Sequence, residues 1–143
     1  MTKVRSFDEK IKVISQISAP ITKKGVQSFL GLARFYRRYI LDFSKRTHKL
    51  SQLTKKNSEF VWTDRHYSKF EEIKSKLCKA PILTYLDWDK TFVIQTDASI
   101  VGLGVMLMQK HDQGYKVIEY ASRSTTPCET RYSISKLECV AVI

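Results

Sequence analysis

The spacing of apolar residues changes near Pro81, and this change constrains the fold more than any other feature of the sequence. Before Pro81, apolar residues recur every three or four positions, which predicts amphipathic helices. After it, residues 91–98 alternate between two faces, which predicts a strand. One face carries Val93, Gln95 and Asp97. The sequence therefore predicts a helical first part followed by a part that contains a sheet.

Helices in the first part are predicted over residues 8–17, 23–40, 44–53 and 64–79. Thr22 and Thr63 precede two of them, where a hydroxyl can cap the first turn. Ala80 and Pro81 end the last one, because the residue before proline avoids the helical region.

The second part is predicted to hold strands over residues 91–98, 102–109 and 115–122. The segments that join these strands are short enough for hairpins. A final helix is expected to open at Pro127 and Glu129 and to run to the last residue. These elements predict a mixed fold with a small antiparallel sheet.

The excess positive charge lies in the helical part. Residues 1–56 hold 14 of the 25 Lys and Arg residues but only three of the 14 acidic ones, so the remaining residues are electrically balanced. A basic segment of this kind indicates a polyanionic partner, most often nucleic acid. Solvated helix faces are an equally good explanation of the charge.

Basic and aromatic side chains alternate around one predicted helix. Lys24, Arg34, Arg37 and Arg38 lie off its apolar stripe. Guanidinium groups in this arrangement can hold phosphates while aromatic rings stack on sugars or bases. For the aromatic residues themselves, which are Phe35, Tyr36 and Tyr39, core packing is the favoured alternative.

Two carboxylates lack a nearby cation in the sequence. Asp97 has no Lys or Arg within six residues, and Glu138 has none at helical spacing. If the final helix covers the face of Val93, Gln95 and Asp97, the two acids converge and need a cation between them. A hard ion such as Mg²⁺ suits a pair without His or Cys. Alternatively, Asp97 ends its strand in water and Glu138 borders its helix.

Cysteine and histidine usage predicts an intracellular protein whose compartment is not specified. Cys78, Cys128 and Cys139 are odd in number, and neither they nor the three His residues show zinc or disulfide spacing. The longest apolar run, residues 101–108, is too short to span a membrane. The sequence therefore predicts a chain with no membrane partner.

Five ordered blocks give a specific resemblance. They are SFLGLARFYRRYI, FVWTDRHYSKFEEIKSKLCKAPIL, FVIQTDASIVGLGVMLMQ, YASRS and RYSISKLECVAVI. In this order and spacing the chain resembles the Pol polyproteins of gypsy-type LTR retrotransposons, from the end of the reverse transcriptase through the connection region into RNase H.

The resemblance implies an α/β (α+β) class and a truncated ribonuclease H-like fold of about three strands plus the first helix. Residues 80–143 would form this part, and residues 1–79 a basic helical thumb or connection segment. Asp97 and Glu138 would hold Mg²⁺ (or Mn²⁺) as catalytic residues. Ser99 and Arg123 would be contacts to the nucleic-acid backbone.

The implied parent activity is metal-dependent hydrolysis of RNA in RNA–DNA hybrids, coupled to RNA-directed DNA synthesis. The partners would be a hybrid or duplex and the remainder of the Pol polyprotein. The palm would precede Met1, and further acidic ligands would follow Ile143. We therefore expect little cleavage by the isolated chain. The alternative is a non-catalytic nucleic-acid-binding module or an inactive genomic relic.

Overall fold

The computed structural model describes residues 7–79 and 84–143. Its helices and strands in these residues are α1 Phe7–Ser15, α2 Lys23–Phe35, α3 Phe43–Leu53, α4 Asp64–Cys78, β1 Phe92–Ala98, β2 Gly102–His111, β3 Gly114–Ser124 and α5 Ile134–Val142. The predicted α+β class, with three strands followed by a helix, is confirmed. The predicted break at Ala80 and Pro81 lies outside the described residues. No helix in the described ranges is both long and apolar enough to cross a membrane.

Helix α2 begins as predicted and ends earlier than predicted. The Thr22 hydroxyl accepts a hydrogen bond from the Gly25 amide at 3.0 Å, which caps the first turn. The helix ends at Phe35, because the Tyr36 amide turns back to the Ala33 carbonyl and tightens the last turn. A short 3₁₀ turn, Arg37–Tyr39, then follows.

The main core lies among the helices. Its buried side chains are Ile14, Val26, Phe29, Ala33, Ile40, Phe43, Leu50, Leu53, Phe70, Ile73 and Leu77. Phe29 and Phe70 lie at its centre, with ring centroids 4.6 Å apart. The predicted apolar stripe of α2 supplies Val26, Phe29 and Ala33 to this core. The three- and four-residue periodicity thus identified the buried face correctly.

The sheet is antiparallel, with strand order β1-β2-β3. Gly104 pairs with Asp97 on one side and with Ser122 on the other. Side chains of directly paired residues lie on the same face. Asp97, Gly104 and Ser122 therefore belong to one face of the sheet.

Both faces of the sheet carry a helix. Helix α3 covers the face of Ser122, whose hydroxyl accepts a hydrogen bond from the Ser44 amide at 2.9 Å. Helix α5 covers the opposite face, where Leu103 and Leu137 are buried. A cavity of about 400 Å³ between α5 and this face is lined by apolar side chains that include Val105 and Val140.

Helix α5 begins later than the sequence suggested. The predicted start at Pro127 and Glu129 is occupied by a separate 3₁₀ turn, Glu129–Arg131. Tyr132 then adopts an extended conformation, which interrupts the helical path. Ser133 caps α5 by accepting a hydrogen bond from the Lys136 amide at 3.4 Å.

Candidate functional site

Asp97 lies near the end of strand β1, and its side chain is exposed. The alternative in which Asp97 meets water agrees with this exposure. In the described residues β1 is the edge of the sheet, with only β2 beside it. Four of its seven side chains, including that of Asp97, are exposed to solvent, so the Asp97 carboxylate is available to a ligand.

Glu138 lies on α5, half-buried beside the fully buried Leu137. Within the sheet, α5 packs mainly against β1, the strand that carries Asp97. The condition given for the two acids to converge is not met, because α5 covers the side of Leu103, whereas Asp97 lies on the side of Gly104. Period-two alternation separates these two faces but does not tell which one a distant helix will cover.

Asp42 is a neighbour of Asp97 that the sequence analysis missed. It precedes α3 in a left-handed conformation, with φ of 54°, and it lies over strand β2. A Cβ atom at position 104 would collide with Asp42 Oδ1, so a side chain there would force the Asp42 carboxylate to move. Burial raises the pKa of Asp42, and the adjacent Asp97 carboxylate raises it further.

We expect Asp42→Asn to stabilise the protein at pH 7 by about 0.5 kcal/mol, the size of a close like-charge repulsion at a partly exposed position. Because the pKa of Asp42 is raised in the folded state, its ionisation costs stability as pH rises above the ordinary value of 3.8. The gain should therefore disappear below about pH 4. Asparagine also tolerates the left-handed conformation.

Urea unfolding at pH 7 and at pH 3.5 checks this expectation. The matched control is Asp112→Asn, which removes an acid from an exposed turn. A less stable Asp42→Asn protein at pH 7, with Asp112→Asn unchanged, would contradict the role given to the Asp97 carboxylate.

The donors near Asp97 are carboxylate oxygens, which suit a hard divalent cation such as Mg²⁺. Within the described parts of the chain, no group of three or more His, Cys, Asp or Glu side chains is close enough to hold a metal ion. Mg²⁺ commonly takes one or two protein carboxylates and completes its coordination with water and phosphate oxygens. Asp97 and Glu138 thus fit the ion in donor type.

The predicted basic residues of the helical part are exposed. Lys24 and Arg34 lie on α2, and Arg37 and Arg38 lie on the 3₁₀ turn that follows. The guanidinium carbon of Arg38 lies 5.8 Å from the Tyr39 ring centroid. All four side chains can reach an anionic partner at low cost in desolvation.

Helix α2 also presents a flat polar strip that the sequence analysis overlooked. Gln27, Ser28 and Gly31 are exposed, and open space surrounds the Gly31 Cα. Phe35 ends this strip with 76% of its surface exposed. The favoured packing role is therefore wrong for Phe35, whereas Tyr36 is half-buried against the core as expected. Spacing of four residues between Gln27, Gly31 and Phe35 could have indicated this face.

Ser99 and Arg123 were predicted to contact nucleic acid, and both side chains have partners within the protein. The Ser99 hydroxyl closes the β1–β2 turn by donating to the Gly102 carbonyl at 3.0 Å. Arg123 forms two hydrogen bonds with Glu129, at 2.8 and 2.9 Å.

Comparisons with known proteins agree with the resemblance seen in the sequence. The Tf2-3 and Tf2-4 transposon polyproteins of Schizosaccharomyces pombe are each 35% identical over 136 residues, which is 94% of this chain. This region is 10% of either polyprotein, so the chain spans about a tenth of the length of these relatives.

Solved structures of a foamy viral protease-reverse transcriptase are also similar. Its complexes with an RNA/DNA hybrid and with double-stranded DNA match 94% of this chain at 31% identity and a TM-score of 0.77. The match covers 18% and 28% of those two chains. The fold of this chain is therefore similar to part of a reverse transcriptase protein.

The family comparison covers more than half of the chain. Residues 62–143 match the family described as the RNase H-like domain found in reverse transcriptase. This range includes the whole sheet, Asp97 and helix α5. Together with the retrotransposon relatives, it shows that the chain belongs to the family of RNase H-like domains found in reverse transcriptases.

Proposed function

We propose that this chain is the hybrid-binding part of a retrotransposon reverse transcriptase whose parent activity is hydrolysis of RNA in RNA–DNA hybrids, coupled to RNA-directed DNA synthesis. The observation that carries the proposal is the exposed basic face of α2 and its following turn. A foamy viral relative was solved with an RNA/DNA hybrid, which supports the same class of partner.

The basic face suits a duplex in shape as well as in charge. Arg34, Arg37 and Arg38 supply guanidinium groups that bind phosphates without sequence preference. The flat strip at Gln27 and Gly31 lets the helix backbone approach a groove closely. Phe35 offers an exposed ring for contact with sugars. These groups would hold the duplex and set its position along the helix.

We propose that Asp97 and Glu138 hold Mg²⁺ or Mn²⁺ in the parent protein. Because α5 covers the face of the sheet opposite Asp97 in this structure, Glu138 would have to approach Asp97 for both carboxylates to bind one ion. The bound ion would supply Lewis acidity and an activated water at the scissile phosphate. Asp97 contributes an exposed carboxylate at the edge of the sheet, and Glu138 contributes one from the helix that packs against β1. Asp42 adds negative charge beside Asp97, which favours a cation there.

The second candidate function is hybrid binding without cleavage. It is favoured by the absence of any cluster of three metal-ligating side chains among residues 7–79 and 84–143. Two carboxylates alone would bind Mg²⁺ weakly and would position the attacking water poorly. For this isolated chain we therefore expect binding to dominate.

The test is a binding and cleavage assay with a labelled RNA–DNA hybrid in Mg²⁺ at low salt. We expect saturable binding and little or no cleavage of the RNA strand. Asp97→Asn should leave binding intact, because the proposed phosphate contacts come from the basic face of α2 and its following turn. If the chain cleaves the RNA strand and Asp97→Asn abolishes this cleavage, the chain is an active nuclease and the expectation of binding alone is wrong. Failure to bind the hybrid would refute the proposal.

A further inference from the structure

The segment 125–133 joins strand β3 to helix α5 and thereby sets where Glu138 lies. It contains the 3₁₀ turn Glu129–Arg131 and the cap Ser133. A connection of this length has many conformations unless its own contacts restrict it. The contacts that fix this segment therefore control the placement of α5.

Arg123 and Glu129 make the strongest of these contacts. Arg123 Nη1 and Nη2 donate to Glu129 Oε2 and Oε1 at 2.8 and 2.9 Å, respectively. The planar guanidinium and carboxylate groups are thus joined by two parallel hydrogen bonds. The Glu129 side chain is only 13% exposed, although that of Arg123 is 50% exposed. Parallel hydrogen bonds between charged groups fix orientation as well as distance. The last residues of β3 are thus tied directly to the turn before α5.

Thr126 completes the attachment. Its amide donates to Glu129 Oε2 at 2.8 Å, and its hydroxyl accepts from the Glu129 amide at 3.3 Å. This reciprocal pair is the capping-box arrangement, in which both ends of a first turn are satisfied. The Arg123 guanidinium and the Thr126 amide together lower the pKa of Glu129 to about 2.

The segment is also attached to the turn that follows Asp97. The Thr125 amide donates to the Val101 carbonyl at 3.4 Å, and the Thr125 hydroxyl donates to the Ile100 carbonyl. Ile100 and Val101 belong to the β1–β2 connection. The turn before α5 and the end of β1 are therefore held to the same short region.

We propose that Arg123 and Glu129 are positioning residues, which fix helix α5 and hence Glu138 relative to strand β1, and that Arg123 is not a contact to nucleic acid. The significance of Glu138 rests on the proposed function. The placement of α5 by this pair does not.

Hydrogen exchange of the α5 amides, measured by NMR on the full chain, tests the placement. We expect Arg123→Gln and Glu129→Gln each to accelerate exchange in α5 by about tenfold, as loss of a charged double hydrogen bond should do. Arg123→Lys keeps the positive charge but loses the planar guanidinium group. Exchange in α5 should therefore be as fast in this variant as in Arg123→Gln. Hybrid affinity should be unchanged in all three variants.

The control is Glu72→Gln, which breaks the ion pair with Arg46 between α3 and α4. It should leave α5 exchange unchanged. Equal acceleration by this control would show a global loss of stability and overturn the proposal. Slow α5 exchange in Arg123→Gln, together with weaker hybrid binding that Arg123→Lys restores, would also overturn it.

The two proposals fail separately. A chain that shows no hybrid binding but has faster α5 exchange in the Arg123 and Glu129 variants would refute the proposed function and support the positioning role. Normal hybrid binding with unchanged α5 exchange in both glutamine variants would support the function and refute the positioning role.

Discussion

Replacing Phe70 with alanine is expected to cost about 3–5 kcal/mol of unfolding free energy, the range for removing a buried aromatic side chain. Phe70 is completely buried in α4. Its ring centroid lies 4.6 Å from that of Phe29 and 6.3 Å from that of Trp62. The cavity left by alanine would thus open where α2, α4 and the segment before α4 meet.

The loss of stability should also affect the basic face, because helix α2 packs against the same core. Helix α2 has no other buried attachment as large as Phe29, and Phe29 rests on Phe70. A protein of this size has about 5–15 kcal/mol of total stability, so the variant should unfold at a much lower denaturant concentration. Nucleic-acid binding should weaken together with folding.

Chemical denaturation followed by circular dichroism measures this effect. The matched control is Tyr67→Ala, which removes an aromatic ring from the same helix at a position that is 50% exposed. It should cost about 1 kcal/mol or less. Equal losses in the two variants would show that Phe70 does not organise the core.

Affinity for the hybrid is expected to fall steeply with salt. The decrease should be about 10³- to 10⁵-fold between 50 and 200 mM if the protein contacts roughly 6–10 phosphates of the duplex. Replacing Arg34, Arg37 and Arg38 together by glutamine should lower affinity at 50 mM salt by about 10²- to 10³-fold. The slope of log affinity against log salt should decrease by about 3. These side chains are exposed, so the substitutions should leave the fold intact.

Fluorescence anisotropy with a labelled hybrid at several salt concentrations gives both quantities. The control removes the same charge from α4 and the residue after it by replacing Arg65, Lys76 and Lys79, which are also exposed. Affinity should change much less in this control, because only the general field of the protein is altered. A flat salt response, or equal losses in the two triple variants, would refute the assignment of the basic face.

Local elements followed from the sequence with small errors at their ends. Strands β1 and β2 start within one residue of their predicted positions, and Thr22 caps α2 as expected. These features depend on side-chain periodicity and on hydrogen bonds between near neighbours. The early end of α2 was missed because a 3₁₀ turn keeps nearly the same spacing of apolar residues.

The neighbours of the proposed site residues could not be predicted in this way. The sequence does not show whether the Arg123 guanidinium group contacts a nucleic-acid backbone or pairs with Glu129. The spacing of Thr126 and Glu129 did match a capping box and could have indicated the turn. Asp42 had no such mark, because it reaches Asp97 only through the docking of α3 on the sheet.

The sequence by itself determined the helical and strand periods, the basic first part and the family resemblance, since each depends on residues close together in the chain. Only the tertiary structure decided that Asp97 is exposed at a sheet edge, that Asp42 lies beside it, and that α5 covers the opposite face. The physical reason is that a strand offers two equivalent faces. Which helix covers each face is set by contacts between residues distant in sequence.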